Sequence, residues 1–424
     1  MVFRDKIVEL DLHKEHKLGV LAVFPVAFLL FGIYEMIKGN GNLGEGLLQI
    51  VMSPTILITD FMEVGGVGPA FVNAATVAFF NLYLLKRFKM RINGLLIAAF
   101  MTVLGFSFFG KNIVNIIPIY IGGYLYAKYQ KIPMKNVILV IMFSTALAPI
   151  VSEIIFSGFM PIEYGYALGI SVGVLIGFII VPLSSHMLRF HDGFNLYNIG
   201  FTAGIVGTVF TSILRSFDIT VEPENILYLK QNNELAALLI FLFGYMIAAG
   251  IYINRNVLKE YVRILKYRGR TITDFTQLVG YGMTFFNMGV MGLLSLFYVL
   301  ALGGVLNGPI MAGIFTISGF AAFGKHPKNC FPIVAGVMLA GYFIGMDFSS
   351  TGFLISALFS TTIAPIAGTY GPGIGVVAGM LHLALVTNIG VVHGGINLYN
   401  NGFSGGLVAG FLVPIIDAFR KGGQ

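Results

Sequence analysis

Apolar runs of about 20 residues recur along almost the whole chain, and that is the length a helix needs to cross the hydrocarbon of a bilayer. In lipid no water is at hand, so each backbone N–H and C=O in such a run must be satisfied within the protein, as a helix does. The chain is 57% hydrophobic and only 11% charged, against about 25% charged in soluble domains. A soluble protein could bury one or two such runs, not a dozen. The loops between them are too short for a sizeable soluble domain.

The net charge of +7 is not a nucleic-acid signature. Most basic residues sit in short loops between apolar runs, as the positive-inside rule requires. The first stretch mixes both signs (Arg4, Asp5, Lys6, Glu9, Asp11, Lys14, Glu15, Lys17) and lacks a small-residue cleavage site, so no cleavable signal is expected. The lone Cys330 excludes an intrachain disulfide and a Cys-cluster metal site. No P-loop, zinc motif, nucleophile elbow or Gly-rich dinucleotide motif stands out. Neither a cofactor nor an enzyme is expected.

Hydropathy places spans near 18–37, 66–86, 93–110, 113–129, 136–158, 164–184 and 194–214, then 235–254, 277–302, 306–322, 330–346, 351–368, 371–390 and 395–416. The segment 44–62, with Pro54 and Asp60, reads as re-entrant, and the basic stretch 255–271 as a surface helix and loop. The expected fold is an all-α integral membrane protein of about 14 transmembrane helices with short re-entrant or broken segments.

The chain is also duplicated. Residues 58–130 align without a gap on 272–344. Ile58-Thr59-Asp60-Phe61 falls on Ile272-Thr273-Asp274-Phe275, Asn73 on Asn287, and Asn93-Gly94 on Asn307-Gly308. Phe109-Gly110-Lys111 falls on Phe323-Gly324-Lys325, with Asn115 and Pro118 on Asn329 and Pro332. Phe143-Ser144-Thr145 and Ala148-Pro149 recur as Phe359-Ser360-Thr361 and Ala364-Pro365. Each copy closes on one motif, His191-Asp192-Gly193-Phe194-Asn195-Leu196-Tyr197-Asn198 and His393-Gly394-Gly395-Ile396-Asn397-Leu398-Tyr399-Asn400. Charge changes sides between the copies. Lys86, Arg87, Lys89 and Arg91 follow a span whose counterpart has its basic cluster before it, at 255–270. Opposite topologies for the two copies follow. The organisation expected is a first inverted repeat at 1–217, an extracytoplasmic linker at 218–234 carrying Asp218, Glu222, Glu224 and Glu234, and a second repeat at 235–424. Both termini then lie in the cytoplasm, and the membrane is the cytoplasmic (inner) one.

Inverted repeats are the build of many carriers and some channels, with sites near the midplane on broken helices. The closing motif puts polar residues between glycines at such a place. Asn195, Tyr197, Asn198, Asn397, Tyr399 and Asn400 are candidates to bind solute, with interhelical hydrogen bonding as the rival role. Asn73 and Asn287, two or three turns into their spans, share both readings. Asp60, Asp274, His191 and His393 are candidates for coupling to H+ or Na+, although Asp60 and Asp274 also suit helix N-caps. Lys111 and Lys325 read as snorkelling residues at the membrane interface, with attraction of an anionic solute as a second role. Ser144-Thr145 and Ser360-Thr361, each before a proline, suggest kinked helices whose hydroxyls satisfy freed backbone groups. Glu153 and His382 have no counterpart in the other copy. Gly394 in place of Asp192 argues against a symmetric metal site and against an enzyme built on His191, Asp192 and His393.

On Ile-Thr-Asp-Phe, Phe-Phe-Gly-Lys-x-x-x-Asn-x-x-Pro and His-Asp-Gly-Phe-Asn-Leu-Tyr-Asn, the whole chain resembles a family of bacterial multi-spanning membrane proteins catalogued only as a domain of unknown function. Tyr399-Asn400-x-x-x-x-Gly405 is similar to a short element of urea channels, which are also inverted repeats; the first copy has Ala203 at the glycine. The expected function is a secondary carrier of a small polar solute, bound between the repeats and released by alternating access, with a neutral polar channel as the alternative. The expected partners are the bilayer, the solute and H+ or Na+, not nucleic acid; a homo-oligomer is compatible with the sequence.

Overall fold

The structure is a computed structural model, and it describes residues 14–39, 41–158, 160–221 and 223–421. The charged stretch up to residue 13, read above for a cleavable signal, and Glu222, read for topology, lie outside these. The described chain is helical. In the first copy α1 (Lys14–Gly39), α2 (Leu43–Met52), α3 (Phe61–Val64), α4 (Val67–Arg87) and α5 (Gly94–Phe106) lead to α6 (Ile113–Tyr129). The copy continues with α7 (Ile138–Ser144), α8 (Ala148–Phe156), α9 (Ile162–Phe190) and α10 (Asn198–Ser216). The second copy opens with α11 (Asn233–Ile253), α12 (Val257–Glu260), α13 (Phe275–Leu278), α14 (Gly280–Ala301) and α15 (Gly308–Phe320). It ends with α16 (Pro327–Phe343), α17 (Thr351–Ser360), α18 (Ala364–Tyr370), α19 (Pro372–Ile389) and α20 (Asn400–Lys421).

Among the described residues 10 helical stretches are long and apolar enough to cross a membrane. They are α1, α4, α7 with α8, α9, α10, α11, α14, α17 with α18, α19 and α20. Four of the expected fourteen are not among them: α5 and α15, and the 17-residue α6 and α16, which lie where spans were read but are a little short. The spans read at 93–110 and 306–322 are the 13-residue helices α5 and α15, about 20 Å long at 1.5 Å per residue and short of a 30 Å hydrocarbon layer. Hydropathy overran them because the turn after each helix is itself apolar, Phe-Ser-Phe-Phe and Phe-Ala-Ala-Phe. The segment 44–62 holds only the 10-residue α2 and the single turn α3. The stretch 255–271 is α12 and a 3₁₀ turn that tucks Val257 and Ile264 inward.

The core of the molecule is α5 against α15. Every residue of α15, and all but Leu95 in α5, is buried. Small residues allow the approach: a Cβ on Gly105 would stand 2.9 Å from the Ala312 Cα, and one on Gly319 would stand 3.2 Å from the Ala98 Cα. Early residues of one helix thus meet late residues of the other, and the two run antiparallel. Around this pair each copy repeats one packing scheme. Helix α1 lies on α4 as α11 lies on α14, and α6 lies on α9 as α16 lies on α19. The latter pairs are closed by glycines: a Cβ at Gly122 would collide with the Val174 carbonyl, and one at Gly336 with the Val376 carbonyl. Overpacking of this kind costs about 1–3 kcal/mol. Gly122→Ala and Gly336→Ala should therefore lower the thermal unfolding temperature in detergent. Gly352→Ala, at an exposed helix position where a Cβ meets nothing within 4 Å, should leave it unchanged.

Candidate functional site

Each short central helix ends in a tight Phe-Gly-Lys turn. Gly110 (φ +83) and Gly324 (φ +94) adopt backbone that favours glycine. The turns leave carbonyls free inside an apolar core, and one asparagine closes each. Asn73 Nδ2 donates to the Ser107 and Lys111 carbonyls at 2.7 and 2.9 Å. Asn287 Nδ2 donates to those of Ala321 and Lys325, both at 2.8 Å. The pore-lining reading of Asn73 and Asn287 is corrected here: their amides are committed to backbone.

The turns bury their lysines. Lys111 and Lys325 are 0% exposed, so they do not snorkel at an interface. Lys111 Nζ donates to Thr145 Oγ1 at 2.9 Å and to the Tyr399 hydroxyl at 2.5 Å. Lys325 Nζ donates to Thr361 Oγ1 at 2.7 Å and to the Tyr197 hydroxyl at 2.5 Å. Each ammonium also lies over aromatic faces, Lys111 4.5 Å from the Tyr399 centroid and Lys325 4.4 Å from that of Tyr197. Among the described residues neither lysine is paired with a carboxylate. Burying an ammonium without a counter-charge costs several kcal/mol, and two hydroxyls and a ring offset that only in part.

The tyrosine of each copy therefore serves the lysine of the other. The closing motifs are loops, not helix, until Asn198 and Asn400, so the expected shared face of Asn195 with Asn198, or Asn397 with Asn400, does not form. Instead each loop plugs the other copy's broken helix. Helix α7 passes into α8, and α17 into α18, through a 3₁₀ turn just before a proline. The Leu196 N–H donates to the Thr362 carbonyl at 2.9 Å, and the Leu398 N–H to that of Ala146 at 3.1 Å. The Thr145 and Thr361 hydroxyls, as expected, also bond back to carbonyls of their own helices.

The remaining polar candidates are bound up in structure. Asn195 Nδ2 donates to the Gly402 carbonyl and its Oδ1 accepts from Thr362, while Asn397 Nδ2 donates to the Gly200 carbonyl. His191 pairs with Asn198 at 3.0 Å and His393 with Asn400 at 2.9 Å. Asp60 caps α3 through Met62 N–H and also accepts Gly308 N–H of α15 at 3.0 Å. Asp274 caps α13 through Thr276 N–H and accepts Gly94 N–H of α5 at 3.1 Å. Each carboxylate so closes the start of the other copy's short helix, where the helix dipole favours a negative charge. His382 pairs with Asn401 at 3.0 Å. Glu153 is buried on α8, away from the cavity described next.

A cavity of about 230 Å³ lies where these parts meet. Both copies line it with matched residues: Thr102 and Thr316, Phe106 and Phe320, Phe143 and Phe359, Tyr197 and Tyr399. Of the eight solute-binding candidates it reaches Tyr197, Tyr399 and Asn198; Asn195, Asn397, Asn400, Asn73 and Asn287 do not line it, nor do Asp60, Asp274, His191 and His393. Sequence reasoning missed the threonine pair. It also misplaced the lysines, although Phe-Gly-Lys recurring in register was a signal that they are held internally.

A family model described as "Protein of unknown function (DUF1576)" matches residues 39–216 and 253–418. The chain belongs to that family. The two matched segments of the DUF1576 model contain the two copies of the closing motif. No curated protein and no solved structure matches the chain, and the similarity to urea channels finds no support.

Two measurements check these assignments. Asp60→Ala should lower stability by about 1 kcal/mol, the value of a helix cap, and Asp60→Asn, which keeps an acceptor oxygen, by less. In a double-mutant cycle, Lys111→Met and Tyr399→Phe should couple by about 1–2 kcal/mol in thermal unfolding, while Lys111→Met and Tyr197→Phe should be additive.

Proposed function

We propose that this multi-pass helical protein is a secondary carrier of a small solute, with the central cavity as its binding site and alternating access as its mechanism. The observation that supports it is the one-sidedness of an otherwise matched cavity. From its centre the cavity extends past Leu95, Val140, Ser184 and Ser185 towards Thr271. That is the face bearing Arg91 and the basic segment. The counterparts of these residues in the second copy, Pro309, Ser356, Val386, Thr387 and Leu57, do not line it. A carrier in one of its two states would be lined unequally by its two copies in this way. A fixed channel would be lined alike along its length.

The finer architecture in this reading is two inverted repeats about a pseudo-two-fold axis. Each contributes five crossings and one re-entrant hairpin, α5 with α6 and α15 with α16, entering from opposite faces. Five is odd, so inversion survives the smaller span count. The moving bodies are not the two sequence halves, because each closing motif is plugged into the other half. One body is α1, α4 and α5 with α11, α14 and α15; the other holds α6 to α10 with α16 to α20. The cavity lies between them.

Labelling of single cysteines with a membrane-impermeant maleimide, in a Cys330→Ser background, tests both points. Arg91→Cys and Val305→Cys should react from opposite sides; reaction from one side refutes the inversion. Val140→Cys should react only from the basic face and Ser356→Cys only from the other, and in the protein carrying both, modification of one should suppress reaction of the other. Simultaneous reaction of both from a single side would replace the carrier by a channel.

A further inference from the structure

The cavity also carries information on what it holds. No aspartate or glutamate lines it, so no carboxylate there would pair with a cation. One layer back lie the two buried lysine amines, each with only two acceptors, a threonine and a tyrosine hydroxyl. Because the Tyr197 and Tyr399 oxygens accept from lysine, their own protons are left to donate, with the Thr361 hydroxyl within reach of Tyr197. The Thr102 and Thr316 hydroxyls, like those of Thr211 and Thr369 on other helices, make no hydrogen bond, and of these four only Thr102 and Thr316 line the cavity. Helical Thr76, Thr208 and Thr284 all bond back to the carbonyl four residues earlier. Thr102 and Thr316 are 2% and 1% exposed, line the cavity and have no partner at all. Four hydroxyls, two of them bonded to the buried lysine amines, thus converge on a chamber whose other walls are mainly phenylalanine and leucine.

We infer that the cavity binds a small organic monoanion with an apolar body, a monocarboxylate. Its carboxylate is held by the tyrosine and threonine hydroxyls in the field of Lys111 and Lys325, and its hydrocarbon part lies among Phe106, Phe320, Phe143 and Phe359. The inference rests on the reading of this cavity as the solute site. Charge-assisted donors favour the carboxylate over a neutral amide of the same shape, and a site built to donate rejects an ammonium. The aromatic walls hold the apolar body and give a hydrated inorganic ion nothing in exchange for its water.

The test uses the purified full-length protein in detergent, with thermal unfolding titrated against benzoate, butyrate, acetate, benzamide, benzylammonium and chloride. The expected result is a saturable rise in Tm with benzoate or butyrate, and none with benzamide, benzylammonium or chloride at the same concentration. The doubly substituted Thr102→Val, Thr316→Val protein loses hydroxyls that bond nothing in the fold, so it should unfold as the parent does yet bind the carboxylate at least about tenfold more weakly. Lys111→Met should weaken binding likewise. Equal stabilisation by benzamide or chloride, no response to any of the three carboxylates, or unchanged binding in the threonine variant would each overturn the inference. Counterflow of radiolabelled benzoate in proteoliposomes separates the two proposals. Binding without exchange removes the carrier and leaves the anion site. Exchange of benzamide without carboxylate binding removes the anion site and leaves the carrier.

Discussion

A helix interrupted inside an apolar layer exposes carbonyls and N–H groups that no water can reach, and each must be met by protein. This chain interrupts its helices repeatedly at depth: at the two Phe-Gly-Lys turns, at the two proline breaks and at the two closing motifs. Almost every feature of the interior follows from how those groups are met. Asparagines close the turns from within a copy. The breaks are closed from the other copy, by the backbone of Leu196 and Leu398. The starts of the short helices α15 and α5 are closed by Asp60 and Asp274, again across the copies. Satisfaction of backbone therefore interlocks the two halves, and the cavity is the space left where the interlocked parts converge.

Much of this was legible in the sequence, for identifiable reasons. Apolar run length gave the helices, because a span has a fixed minimum length. The gapless match of 58–130 on 272–344 gave the duplication, since Asn73 with Asn287 and Lys111 with Lys325 fall in register. The closing motif was visible as polar residues framed by glycine. What could not be read was which polar groups face each other. Hydropathy measures the cost of placing a side chain at depth, not the direction it points. Lysine after an apolar run is ordinarily a snorkelling residue, and only the fold reveals that the turn carries Lys111 inward, to Thr145 and Tyr399. The same limit made pore residues of Asn73 and Asn195, whose amides are consumed by carbonyls. It also hid Thr102, which looks like any helical threonine until its missing back-bond is seen.

The span count failed for a different reason. Windows of about 19 residues register apolar character and not helix continuity, so α5 and its phenylalanine-rich turn looked like one crossing. Breaking that segment at Ser107 shortens the helix to 13 residues and leaves the turn to place a charged side chain in the interior. For α5 and α15 the error over the span and the error over the lysine are thus one error, an undetected helix end; α6 and α16 lie where they were read and are only short.

The bond from Lys111 to Tyr399 spans 288 positions of sequence. During synthesis the first copy enters the membrane complete in its helices but with its lysine, its broken helix and α5 all lacking partners that have yet to be made. The last of them, the loop Asn397-Leu398-Tyr399, precedes only one more helix. The chain must hold an unfinished half in lipid while the second copy is made, and the completion of the first copy's turn waits on the second closing motif. Such non-local closure makes folding slow, and it makes the second closing motif a partner in the packing of the first copy.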